Sequence, residues 1–145
     1  MADSIREQIV KAVIDRCAVL SAKPVGRCVR SQPASKIPAV SVWDNGPDTP
    51  LQYGYGWVNM QAAIAVETLF IPTVEADAAI EAQAMYAAII NAVMGTDRSL
   101  GGLCGFIAHQ PPTMNYPPAG IQAEAVSVVF LIDYAVKTGD PFTAA

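Results

Sequence analysis

The stretch Ile121-Gln122-Ala123-Glu124-Ala125-Val126-Ser127-Val128-Val129-Phe130-Leu131-Ile132-Asp133-Tyr134-Ala135-Val136, continued by Lys137-Thr138-Gly139-Asp140-Pro141-Phe142-Thr143, decides the fold. Side chains alternate between the two faces of a strand, and the even positions 126 to 136 hold Val, Val, Phe, Ile, Tyr and Val. Val129 and Leu131 fall on the opposite phase, so the centre of this strand is apolar on both sides. It reads as a buried strand leaving a sheet through a fixed turn, with one face on the domain's own helices and the other covered by a further subunit. Nothing in it resembles an active site.

Upstream, Ser4 and Glu7 form a capping box, in which each side chain can satisfy a backbone donor left free at a helix start. Ile5, Ile9, Val13, Cys17 and Leu20 then make one stripe, and the helix should end near Ser21, before Lys23-Pro24. A short strand is expected over 25–29 and a stronger one over 37–43, with Asp44-Asn45-Gly46-Pro47-Asp48 turning the chain. Leu51 to Ile71 reads as one long strand or two in succession, with a bulge near 59–62; Gly54 and Gly56 count against the competing helix. A second helix is predicted over 75–94, with Ile80, Ala84, Ala87, Ile90, Val93 and Met94 facing the sheet and Gly95 stopping it. Residues 103–110 should form a strand, 111–120 a proline-rich loop and 121–136 the last strand. The order predicts an α+β fold, a mainly antiparallel (mixed) sheet of about four to six strands with two helices packed on one face.

A chain of 145 residues fits a single domain and can bury about 68 to 70% of its unfolded surface. Only 15% of its residues are charged, against about 25% in ordinary soluble domains, which points to large subunit contacts. No run approaches the about 18 consecutive apolar residues of a membrane span, and residues 1–7 lack the pattern of a signal peptide. With Cys17, Cys28 and Cys104 an odd set, a secreted disulfide framework is disfavoured, and a cytoplasmic site of synthesis and assembly is expected.

Candidate chemistry is sparse, and no cofactor or metal is expected. Cys104 and His109 could suggest a thiol nucleophile in a small cytoplasmic enzyme, but residues five apart on a strand point to opposite faces. Asp77 and Glu81 share a helical face, where acids at a helix start ordinarily serve the dipole. Gly95-Thr96-Asp97 and Gly101-Gly102 read as turns. Seven of the nine basic residues, Arg6, Lys11, Arg16, Lys23, Arg27, Arg30 and Lys36, lie in the first 36 positions, against three acids there. They could dock an acidic protein, contact nucleic acid or simply be solvated. Trp43, Tyr53, Tyr55 and Trp57 flank one turn and serve either as core or as interface anchors. Tyr116 sits between two proline pairs in a stiff loop that could be a partner-binding arm.

Four of these motifs occur in a familiar order: Ser4-Ile5-Arg6-Glu7-Gln8-Ile9-Val10, Pro38-Ala39-Val40-Ser41-Val42-Trp43, Val93-Met94-Gly95-Thr96-Asp97-Arg98-Ser99-Leu100-Gly101-Gly102-Leu103, and Gly139-Asp140-Pro141-Phe142. Together they resemble the tail-terminator proteins of long-tailed bacteriophages, the minor tail protein U type. The resemblance implies an α+β subunit in a six-membered ring on the finished tail tube, located in the virion tail or neck. Its partners would be copies of itself, the tail tube protein and a head-tail connector or stopper, with DNA passing through the lumen without sequence recognition. A connector role is the alternative within the same class. Residues 44–60 and 110–120 carry no family pattern.

Overall fold

The computed structural model describes residues 2–21, 23–28, 38–72, 78–115 and 123–145. Two long strands, β4 (Trp57–Phe70) and β7 (Glu124–Lys137), form its spine. They pair antiparallel along their whole length, from Trp57 opposite Lys137 to Phe70 opposite Glu124. Short strands then line each outer edge of this ribbon in series. On β4 these are β2 (Ala39–Trp43) and β3 (Thr49–Gly54), with β1 (Gly26–Arg27) parallel to β2. On β7 they are β5 (Phe106–His109), β6 (Thr113–Asn115) and β8 (Asp140–Ala144). The mixed, mainly antiparallel sheet thus has eight strands rather than four to six, because no single flanking strand matches the ribbon's length.

Residues 51–71 divide into β3 and β4 at the tight turn Tyr55-Gly56, where Gly56 has φ +81°. The bulge lies on β3, between Pro50 and Gln52, while β4 pairs regularly throughout. A second two-residue turn, Thr138-Gly139, joins β7 to β8, with Gly139 at φ +76°. The strand expected over 103–110 is shorter, Phe106–His109, since Leu103 still belongs to the preceding turn, which the Cys104 amide closes by donating to the Ser99 carbonyl at 3.0 Å. Within the expected loop, Thr113–Asn115 pairs with β7; residues 29–37, 73–77 and 116–122 lie outside the described ones, including parts of several predicted elements.

Helix α1 (Ile5–Cys17) starts as predicted, the Glu7 amide donating to Ser4 Oγ at 3.1 Å, and continues through a 3-10 turn to Leu20. Ile5, Ile9, Val13 and Cys17 are buried together with Val10. In α2 (Ala78–Met94) the predicted face holds for the last turn, where Val93 is buried and Ile90 and Met94 pack on the core, but not before it: Ile80 is 67% exposed and Ala84 and Ala87 are exposed, whereas Ala82 and Ile89 are buried. Alanines cover this helix all round, so local periodicity does not select a face. The longer side chains of Met85, Tyr86, Ile89 and Ile90, which pack on the core, select it instead.

Both helices cover the face built from the even-numbered residues of β4 and β7, where Ile64, Val66, Val128, Phe130 and Ile132 are fully buried. The opposite face is half-exposed and carries Ala65, Ser127, Val129 and Leu131, with Gln61 donating to Asp133 at 3.0 Å. No described helix is long and apolar enough to cross a membrane. The corrected phase of α2 predicts that Ile89→Ala lowers stability by about 2–5 kcal/mol, whereas Ile80→Ala changes it by less than about 0.5 kcal/mol, read as urea midpoints.

Candidate functional site

The turn between β3 and β4 presents the aromatic residues singled out above. Tyr53 is 74% exposed and Tyr55 fully exposed, beside the 46% exposed Leu51. Two contacts hold this tip in place. The Trp57 indole lies over Gly54, where a Cβ would overlap its ring, and the Gly56 carbonyl accepts from the Thr138 amide at 3.0 Å. Trp43 sits elsewhere, at the end of β2 opposite Ala65, with its indole nitrogen buried and unpartnered among the described residues. Tyr116 lies outside them.

Next to the tip, on the helix-bearing face, is a half-open cleft of about 330 Å³. Val58, Met60, Tyr134 and Val136 supply its apolar floor, and Arg6, Lys137, Asp140 and Pro141 border it. The cleft exists because the first turn of α1 and the β7–β8 turn frame this end of the sheet without filling it.

The basic first third is drawn largely into the domain. Arg6 donates from Nε to Asp48 Oδ1 at 2.9 Å and from its other nitrogens to the Asp44 carboxylate and to the carbonyls of Asp44 and Gly46. Arg27 grips the Asp44 carboxylate at 2.6 and 3.1 Å and the Glu7 carboxylate at 2.7 and 2.9 Å. Glu7 therefore serves Arg27 in place of closing the capping box. The Cys28 thiol donates to Asp44 at 3.4 Å, and the Tyr134 hydroxyl donates to Asp48. The Arg27 guanidinium, opposed by burial, holds the Asp44 carboxyl down at about 2. In turn the bonds from Glu7 and Asp44 raise Arg27 above its ordinary value.

Arg16 has a different acceptor set. From the end of α1 it donates to the Val93 carbonyl at 2.9 Å and to the Asp97 carbonyl, satisfying groups left open where α2 ends. Asp97 organises the turn that follows, accepting from Ser99 and from the Gly101 amide, and these bonds hold its carboxyl at about 2. Lys11 is exposed and pairs with Asp3 at 2.7 Å, while Lys23 is half-buried. Arg30 and Lys36 are outside the described residues. Asp44 and Asp48, read only as turn formers, are the acceptors that sequence reasoning missed; the local excess of cations was the one available signal for them.

Cys104 precedes β5 instead of lying on it, buried, with its thiol donating to the Arg98 carbonyl at 3.3 Å. Burial raises its pKa, which keeps the thiol protonated. His109 ends the strand, edge-on to Tyr86 with ring centroids 6.0 Å apart. Among the described residues, no group of three or more His, Cys, Asp or Glu side chains is gathered as a metal site requires.

Neither a protein-family model nor a curated protein sequence matches the chain. Among solved structures it is similar to a chain of the "Virion of native gene transfer agent (GTA) particle", with 16% identity, 90% of each chain covered and a TM-score of 0.52. At that identity the likeness is one of fold.

The depressed pKa of Asp44 sets an acid limb to stability. Its folded value lies below the unfolded carboxylate value of about 3.9, so the stabilisation is complete above about pH 4 and is lost as pH falls through about 2. Asp44→Asn is expected to cost about 1.5–3 kcal/mol at neutral pH and to flatten the decline between pH 4 and 2, measured by denaturant unfolding across pH.

Proposed function

We propose that this protein is a structural subunit of a phage-like virion and that it forms the ring closing the end of the tail tube. The observation that carries the virion class is the fold shared with a virion chain over 90% of both chains. The terminator role rests on the four ordered sequence motifs, whose segments fall on α1, β2, the end of α2 with its Asp97 turn, and the β7–β8 turn. A half-exposed, charge-poor sheet face and a fixed aromatic tip also suit a subunit that buries surface against neighbours.

The mechanism is steric. A ring matching the last layer of the tube would offer an upper face that accepts no further tube subunit and receives the head connector. DNA would pass through its lumen by fit and charge alone. Tyr53, Tyr55, Trp57, Trp43 and Tyr116 are the proposed anchors for copies or partners. Among Arg6, Lys11, Arg16 and Arg27, Lys11 is the most exposed and the best placed for docking or for the lumen, its ion pair with Asp3 lying at the surface.

Purified protein should form closed rings by negative-stain imaging and light scattering. A protein that stays monomeric at high concentration would contradict the proposal. Loss of the protein from its particle should yield tails of uncontrolled length, while tails of normal length without heads would point to a connector instead.

A further inference from the structure

Glu124 begins β7 on the face that the helices cover, and only 5% of it is exposed. It lies shallow in the molecule but is closed over by its neighbours, and its Oε2 has no hydrogen-bond partner. Across the ribbon it stands opposite Phe70, with Thr68 next on the same face of β4. A long side chain can span such a diagonal, yet the fully buried Thr68 hydroxyl is also without a partner and so gives the carboxyl no bond. The charged group that acts on Glu124 is a second acid, Glu81, in the first turn of α2.

Among the described residues the surrounding elements bring no cation to this acid. Helix α2 carries no basic residue along its length, β6 is Thr113-Met114-Asn115, and Glu67 of β4 falls on the opposite face. The bases of α1 are engaged elsewhere, Arg6 with Asp44 and Asp48, Lys11 with Asp3, and Arg16 with Asp97. A carboxylate shut off from water without a partner is unfavourable, and a like charge beside it makes it more so. A bound proton relieves both. We propose that Glu124 and Glu81 form a proton-operated latch: with the Glu124 carboxyl protonated the start of α2 rests on the start of β7, and its ionisation loosens that contact.

Burial raises the pKa of Glu124, and the charge of Glu81 raises it further. The stability that Glu124 contributes is therefore fully present below the unfolded value of about 4.3 and is lost as pH rises through the higher folded value. Asp44 acts in the opposite sense, since its bonds are lost in acid. The loosening falls on the first turns of α2 because they are weakly held, Ala82 being the one buried residue of this helix before Ile89. The latch is a property of the single domain and holds whether or not rings form.

The test uses the full-length protein at fixed concentration. Glutamate carboxyls labelled with heavy carbon are followed by NMR from acid to mildly alkaline solution, and the Glu124 signal is the one that Glu124→Gln removes. Glu124 should titrate above the ordinary glutamate value, and Glu81→Gln should move its titration down towards that value. A Glu124 that titrates at or below about 4.3, or that Glu81→Gln leaves unmoved, would overturn the latch. In parallel, Glu124→Gln should raise the urea midpoint in mildly alkaline solution and leave it unchanged in acid. It should also slow hydrogen exchange over residues 78–84 by about ten-fold for each pH unit by which the Glu124 titration is raised. A lower alkaline midpoint would overturn the proposal. Glu67→Gln, on the opposite face, should leave exchange in α2 as it is; equal slowing by both variants would mean a global effect and overturn the local latch.

Discussion

The antiparallel pairing of β4 with β7 is the constraint on which everything else depends. Fourteen residues of strand extend about 46 Å, whereas helices of 13 and 17 residues reach only about 20 and 26 Å. The ribbon therefore outruns both its helical cover and any one flanking strand. Short strands line its edges in series, and the Trp57 end of the helix-bearing face keeps Val58 and Met60 half-exposed. The cleft is a consequence of that difference in length.

A second constraint fixes how α1 sits on the ribbon. Asp44 and Asp48 are almost completely buried, and removing a carboxylate from water is unfavourable unless charge-assisted bonds compensate. Arg6 and Arg27 provide those bonds, linking α1 and β1 to the chain between β2 and β3, and Tyr134 extends the network to β7. At the far end of α1, Arg16 fastens the last carbonyls of α2. The helices are thus positioned by polar clamps at both ends of α1, with the apolar core between them.

These clamps also shape the surface. The charge of a chain with few ionisable residues is partly consumed inside the domain, which leaves the sheet face and the aromatic tip with little to keep them solvated. The half-exposed sheet face, the fastened tip and the half-open cleft are the surfaces that the proposed assembly would cover.

What the sequence by itself determined is local. Ser4 caps α1, the stripe from Ile5 to Cys17 is buried, the alternation in β7 is real, and the separation of helices from strands is that of an α+β fold. Each of these depends on residues within a turn or two of one another. Tertiary structure decided the face of the first turns of α2, because alanines on several sides give that part of the helix no preferred side until a partner surface is present. It also decided the split at Tyr55-Gly56 and the pairing of Arg6 and Arg27 with Asp44, across 38 and 17 positions. The cleft belongs to the same class, since its walls come from α1, β4, β7 and β8. Contacts between distant segments depend on strand register and element length, and neither quantity can be read from a short window of residues.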